Sequence, residues 1–126
     1  MKHIFIALTF ALSLSVQAED WNQFRGPHGN GVSTDKNLPT TLQDDNLKWS
    51  IPLPGRGLSG ALVLGDQVIV TCSSGPTQSR LHVLALNAKD GSVAWHRQFW
   101  ATGRTMCHAK TSVAAPTPCS DGKNIY

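Results

Sequence analysis

The apolar positions of this chain come in short bursts, and the most informative one runs from Leu81 to Trp95 as L-H-V-L-A-L-N-A-K-D-G-S-V-A-W. It predicts two short strands flanking a five-residue turn and closing on a tryptophan. Val83, Leu84, Ala85 and Leu86 run almost without alternation, which predicts a strand covered on both faces. Asn87 can hydrogen-bond its own downstream backbone, and Gly91 can take the positive φ that a tight hairpin requires. A hairpin buried on both faces fits a sheet stacked between sheets.

The remaining bursts and breakers predict an all-β chain. Residues 19–46 hold few apolar positions and many Gly, Pro, Asn, Asp and Thr, so they read as an irregular N-terminal arm anchored by Trp21, Phe24 and Val32. Lys48–Leu53 reads as a short strand interrupted by Pro52, which cannot donate to a ladder and belongs at an edge or a strand end. Pro54–Gly57 reads as a loop. Ala61–Leu64 and Val68–Cys72 read as a hairpin around Gly65-Asp66, where a leading glycine suits a type II′ turn. Ser73–Ser79 is then a polar loop before the hairpin that extends to Phe99. Trp95 echoes Trp49, 46 residues earlier, close to the ~40–45 residues of a four-stranded repeat unit. Pro116–Tyr126 re-enacts the Ala61–Val70 hairpin with one added turn residue. Each of the two tryptophans is expected to end an outer strand of one unit and to wedge, mostly buried, against the next. Residues 47–126 supply fewer than two such four-stranded antiparallel units, which is the expectation for the N-terminal part of a larger protein.

The N-terminus changes the compartment. Lys2 and His3 make a short basic start, Ile4–Val16 is uncharged and mostly apolar, and Val16-Gln17-Ala18 offers small residues where a signal peptidase reads. Residues 1–18 therefore read as a secretory signal peptide cleaved between Ala18 and Glu19. The apolar run is shorter than the roughly 20 residues that span a bilayer. No cysteine follows it to take a lipid, so the mature chain is expected to be periplasmic or secreted without an anchor or an integral membrane segment. Losing Lys2 lowers the formal charge from +3 to +2. The cations are scattered singly, which argues against nucleic acid or an anionic membrane as partner. Cys72, Cys107 and Cys119 would meet an oxidising compartment. One disulfide and one free thiol is the simplest outcome, with three pairings open, and a buried unpaired thiol is as good a reading for any of them.

Candidate chemistry is sparse. Arg104-Thr105-Met106-Cys107-His108 ends like a c-type haem site, but Arg104 stands where its first cysteine is required. His82, His96, His108 and the cysteines lack zinc-ligand spacing, and His82, alternating with Leu81 and Val83, is expected at a surface. No Gly-rich phosphate loop leads from a strand into a helix, and Gly57–Ala61 lacks the final glycine of a serine-nucleophile elbow. Arg56, between two glycines, could meet a carboxylate or a partner's backbone, although ordinary surface pairing is the commoner use of such a residue. The turn residues Asp44, Asp45, Asp66, Asp90 and Asp121 read as loop caps. No catalytic, cofactor-binding or metal-ligating residue is assigned.

The residues of the Leu81–Trp95 hairpin resemble the PQQ-like (pyrroloquinoline-quinone) β-propeller repeat, A-L-(D/N)-A-x-(T/D)-G-x-x-x-W. Ala85, Leu86, Asn87, Ala88, Gly91 and Trp95 stand at its positions, Asp90 replaces the usual Thr, and Trp49 is the expected counterpart of Trp95. Trp21–Ser33, W-N-Q-F-R-G-P-H-G-N-G-V-S, is similar to a leader found before the propeller in exported bacterial members. The resemblance implies four-stranded antiparallel blades, here fewer than two. It also implies one of two functions. The first is a non-catalytic binding or assembly platform for a protein or peptide, without a cofactor. The alternative is the N-terminal part of a periplasmic PQQ-dependent alcohol or sugar dehydrogenase. PQQ and Ca²⁺ enter only under that alternative, whose adjacent-cysteine disulfide does not occur here. N-terminal sequencing of the exported protein is expected to begin at Glu19; a chain still starting at Met1 in the envelope fraction would overturn the cleavage assignment.

Overall fold

The computed structural model describes residues 19–36 and 38–126, so the expected signal peptide, residues 1–18, and its expected cleavage site after Ala18 lie outside the described residues. Four strands follow the apolar bursts: β1 (Leu62–Leu64), β2 (Gln67–Ser74), β3 (Arg80–Asn87) and β4 (Val93–Trp100). They form one antiparallel sheet in the order β1-β2-β3-β4, each strand beside its neighbour in sequence. Tight turns make that possible, since antiparallel neighbours need only a hairpin. Gly65 has a φ of 57° and Asp66 has no positive φ, the pattern of a type II′ turn. In the β3–β4 turn the Asn87 amide donates to Ser92 O and the Gly91 amide to Asn87 O, both at 2.8 Å. Asn87 Oδ1 accepts from the Lys89 amide at 2.9 Å.

The pleat then sorts the side chains onto two faces. Leu62, Ile69 and Ala85 are fully buried on one, with Leu64, Val83, Trp95 and Ile125 packed around them. Cys72, Leu84 and Leu86 are buried on the other, beside Val68 and Val70. β3 contributes to both clusters, as its unbroken apolar run requires. Its pairing with β4 shifts register between Ala85 and Leu86, a bulge that lets Trp95 oppose Ala85 while Val93 opposes Leu86.

The expected strand at Lys48–Leu53 does not form. Trp49, Ile51 and Leu53 are half-buried and alternate with exposed Ser50, Pro52 and Pro54. The inward three pack on the Cys72–Leu84–Leu86 cluster. Two prolines remove the donors a ladder would need, so the segment lies across the sheet as a lid. The next residues, expected as a free loop, are tied to the edge of β2 beyond the reach of β1. Arg56 and Ser73 exchange backbone hydrogen bonds at 2.9 Å in each direction. A side chain at Gly55 or Gly57 would strike the Ser73 or Thr71 carbonyl oxygen, so the close approach demands glycine at both.

Within this single sheet Trp49 and Trp95 occupy different settings, and each is half-buried. Trp95 lies in β4 opposite Ala85. Trp49 stands off the sheet, its ring against Gly91 and its Nε1–H donating to Ala88 O at 3.0 Å. The arm returns to β1, where Trp21 and Val63 exchange backbone bonds of 2.8 and 3.0 Å. The C-terminal hairpin expected at Pro116–Tyr126 is a short ladder, with Cys119 and Tyr126 bonded reciprocally at 3.0 and 2.8 Å and Ser120 bridging Ile125. Cys72, Cys107 and Cys119 are all free thiols, and Cys72 serves as a small apolar residue of the core.

Gly91 has a φ of 74°, and a Cβ there would fall 2.7 Å from two atoms of the Trp49 ring. Gly91→Ala is expected to cost about 2 kcal/mol or more, combining left-handed strain with displacement of the indole. Gly103→Ala, where a Cβ meets open space, should change stability by less than about 0.5 kcal/mol. Urea titrations of the two variants check the contrast, and equal midpoints would show that the indole does not rest on this turn.

Candidate functional site at one end of the sheet

β2 ends and β3 begins at one end of the sheet, and the segments 54–57, 75–79 and 101–114 converge there. Backbone pairing fixes the first of these against Ser73. The Arg56 guanidinium then reaches across to the carbonyls of Ala109 and Thr111, the latter at 3.1 Å. Arg56 was the loop residue singled out from sequence, and the structure places it as a tie between two segments of its own chain.

Beneath Arg56 lies a polar cluster. Ser73 and Ser112 are 2% and 4% exposed, so their hydroxyls need partners inside the protein. Ser73 Oγ donates to Gln78 Oε1 at 2.9 Å. Ser112 Oγ lies 2.9 Å from Ser73 Oγ and 2.8 Å from Arg56 O, with one proton to divide between them, and accepts from the Ala114 amide at 3.0 Å. Gln78 Oε1 also accepts from the Val113 amide at 3.1 Å. Gln78 itself has a φ of 54°, a left-handed conformation that costs on the order of 1 kcal/mol or more outside glycine. The bonds to its side chain hold it there.

A second polar row crosses the neighbouring strands. Ser74 Oγ is 2.8 Å from His82 Nε2, and His82 Nδ1 is 3.0 Å from His96 Nε2. His82 is 4% exposed, not the surface residue its alternation suggested. It lies opposite Cys72 and shares a face with Cys72 and Leu84, a second buried face of β3 that its alternation does not reveal. Burial, followed by the neighbouring His96 and Arg80, holds the His82 imidazole below the ordinary histidine range. Ser74 opens onto a groove of about 370 Å³ lined by Pro54, Gly55, Arg56, Pro76 and Gln78. Pro76 and Gln78 also border a groove of about 510 Å³ that reaches Arg104, Met106 and Cys107.

The other candidate residues serve their own loops. His108 Nδ1 accepts from the Lys110 amide at 3.1 Å. Asp90 Oδ1 accepts from the Ser92 amide and hydroxyl at 2.9 and 2.6 Å. The Asp121 carboxylate, bonded by the Asn124 and Lys123 amides and the Tyr126 hydroxyl, is held down at about 2. Among the described residues, no three of His, Cys, Asp and Glu gather where they could hold one metal ion. Ala85, Leu86, Asn87, Ala88, Gly91 and Trp95, the residues that carry the resemblance to a propeller repeat, all lie in β3, the β3–β4 turn or β4, away from the convergent loops.

Sequence reasoning missed Ser73, Ser74, Gln78 and Ser112, and weighed His82 and His96 only as zinc ligands. Their signal was the register: a hairpin from β2 to β3 with a short polar loop sets Ser74 opposite Arg80 and diagonal to His82. The later contacts of Ser112 and Val113 span a loop whose path no periodicity encodes.

The fold is therefore an all-β, four-stranded antiparallel meander with its polar groups gathered at one end. Among known proteins the chain is similar to a polyvinylalcohol dehydrogenase of a Pseudomonas species, with 39% identity over 62 residues, covering 49% of this chain and 9% of that protein. No protein-family profile matches the chain. No solved structure matches it.

His82 supplies a pH dependence whose sign is fixed. Because its folded pKa lies below the unfolded value, the unfolded chain binds the proton more readily, and stability falls as pH drops below the ordinary histidine range. Urea midpoints are expected to decline between about pH 7 and pH 5, with a shallower decline in His82→Gln. An unchanged slope in the variant would mean that His82 takes its proton freely in the folded protein.

Proposed function

We propose that this chain is the opening blade of an exported PQQ-like β-propeller and that its residues act there as scaffold. The observation that carries the reading is the seat of Trp49 on Gly91. A tryptophan from the preceding segment rests on the turn of the Ala85–Trp95 signature, and the same repeat would let Trp95 rest on the corresponding turn of a following unit. Four strands in simple up-and-down order suit one blade. A single sheet cannot close a ring, so a propeller takes further blades around it.

Two readings of the assembled protein follow. The partial identity to a polyvinylalcohol dehydrogenase favours oxidation of alcohols or sugars in the periplasm, with PQQ and Ca²⁺ as cofactors. The described residues do not fit those groups. They gather no oxygen-ligand cluster, and the Asp90 and Asp121 carboxylates are occupied by their own turns. The cofactor would rest on other blades, with this one as support. The exposed apolar residues Val93, Phe99 and Trp100 on β4 favour the second reading, a non-catalytic platform for a protein or peptide. The dehydrogenase reading is the stronger of the two because it rests on sequence identity. Export rests on the predicted signal segment; among the described residues, no helix is long and apolar enough to cross a membrane.

The scaffold role has a direct test. The purified 126-residue chain, mixed with PQQ and Ca²⁺, is expected to show no saturable heat of binding. It is also expected to reduce no dye with poly(vinyl alcohol), short alcohols or sugars. Micromolar binding or turnover above a boiled control would place the reaction centre on this chain and end the scaffold reading.

A further inference from the structure

The Ser74–His82–His96 row lies outside anything the propeller reading uses, and its geometry is that of a nucleophile, a base and an orienting group. A serine hydroxyl becomes a nucleophile when a neutral imidazole accepts its proton and a third group fixes that imidazole's tautomer. Here the hydroxyl-to-imidazole distance is 2.8 Å and the imidazole-to-orienter distance is 3.0 Å, both inside the range such catalysis requires. The two contacts use different nitrogens of His82, so a proton on Nδ1 directed at His96 leaves Nε2 free to accept from Ser74.

We propose that Ser74, His82 and His96 form a Ser-His-His nucleophilic site that cleaves short carboxylic esters. The surroundings supply the remaining parts. His82 is buried, and its environment favours the neutral imidazole, the form that can take a proton. The groove of about 370 Å³ beside Ser74 is large enough for a small acyl group. Arg80 opposes Ser74 across the hairpin, and its guanidinium lies over Gly75, where a Cβ would sit 3.4 Å from Nε. Among the described residues it has no carboxylate partner, so its charge is available to an oxyanion forming beside Ser74.

In the reaction, Ser74 Oγ attacks the ester carbonyl carbon and its proton passes to His82 Nε2. The carbonyl electron pair moves onto oxygen, facing Arg80. Collapse of that intermediate breaks the bond to the alkoxy group, which leaves with the proton from His82. Water, deprotonated by the same nitrogen, then releases the acid and restores Ser74. Ser74 is the catalytic nucleophile and His82 the base, while His96 is a positioning residue acting through His82.

The full chain is treated with diisopropyl fluorophosphate and its peptides are read by mass spectrometry, while p-nitrophenyl acetate hydrolysis is followed in parallel. A single adduct on Ser74 is expected, absent in Ser74→Ala. In His82→Gln both labelling and hydrolysis should slow on the order of a hundredfold or more. His96→Ala should slow them less, and His96→Glu, whose carboxylate can accept from Nδ1, should restore the rate, which a purely structural role for His96 would not do. Wild-type labelling needs no variant to fold. A chain with β-sheet circular dichroism that takes no label at Ser74, or takes it equally on other serines, overturns the proposal; so does labelling that survives His82→Gln in a folded variant.

Discussion

The seat of the Trp49 ring on Gly91 is the contact on which the rest of the sheet depends. An indole can lie flat on a backbone only where no Cβ intervenes, and it can hold the turn only if its N–H finds an acceptor. Gly91 and Ala88 O meet those two conditions in the same turn. The contact fastens residues 49–53 across the Cys72–Leu84–Leu86 face, which would otherwise expose the apolar residues of β2 and β3 to water. Trp21 repeats the device on a smaller scale, its ring packed on Gly26 while its backbone pairs with Val63.

The lid also determines the polar end. Once residues 49–53 run across the sheet, residues 55–57 arrive beside the unpaired stretch of β2, and two glycines let Arg56 bond to Ser73. Arg56 then holds the Ala109–Thr111 backbone with its side chain, and Ser112 is brought onto Ser73. Gln78 accepts its left-handed backbone because its amide oxygen is used twice in that arrangement. The order of causes runs from an apolar contact at one end of the sheet to hydrogen bonds at the other.

Local chemistry made most of the sheet legible in the sequence. The two hairpins announced themselves through Gly65-Asp66 and through Asn87 with Gly91, because a tight turn leaves few residue choices. The double coverage of β3 was legible because Leu84, Ala85 and Leu86 cannot face water on either side. Lys48–Leu53 misled because alternation reports which residues face inward and not whether a ladder exists; its prolines were the better guide. His82 misled for a related reason. Alternation assigns the buried face to its neighbours Leu81 and Val83, yet β3 buries both of its faces. The polar end stayed hidden because Ser73, Gln78 and Ser112 are joined through a loop whose path depends on Arg56.

The sheet is asymmetric in how its edges are treated, and this bears on what surrounds it. The β1 edge is closed: Trp21 bonds to Val63, and Arg56 occupies the part of β2 that β1 leaves free. β4 is eight residues long, and no strand among the described residues pairs with its outer side. An open edge invites pairing unless charge or shape blunts it. Here Arg97 and the bulge near Trp95 interrupt the edge, while Val93, Phe99 and Trp100 leave apolar surface beside them. The sheet is thus closed by its own chain on the β1 side and left unpaired, with apolar surface, on the β4 side among the described residues.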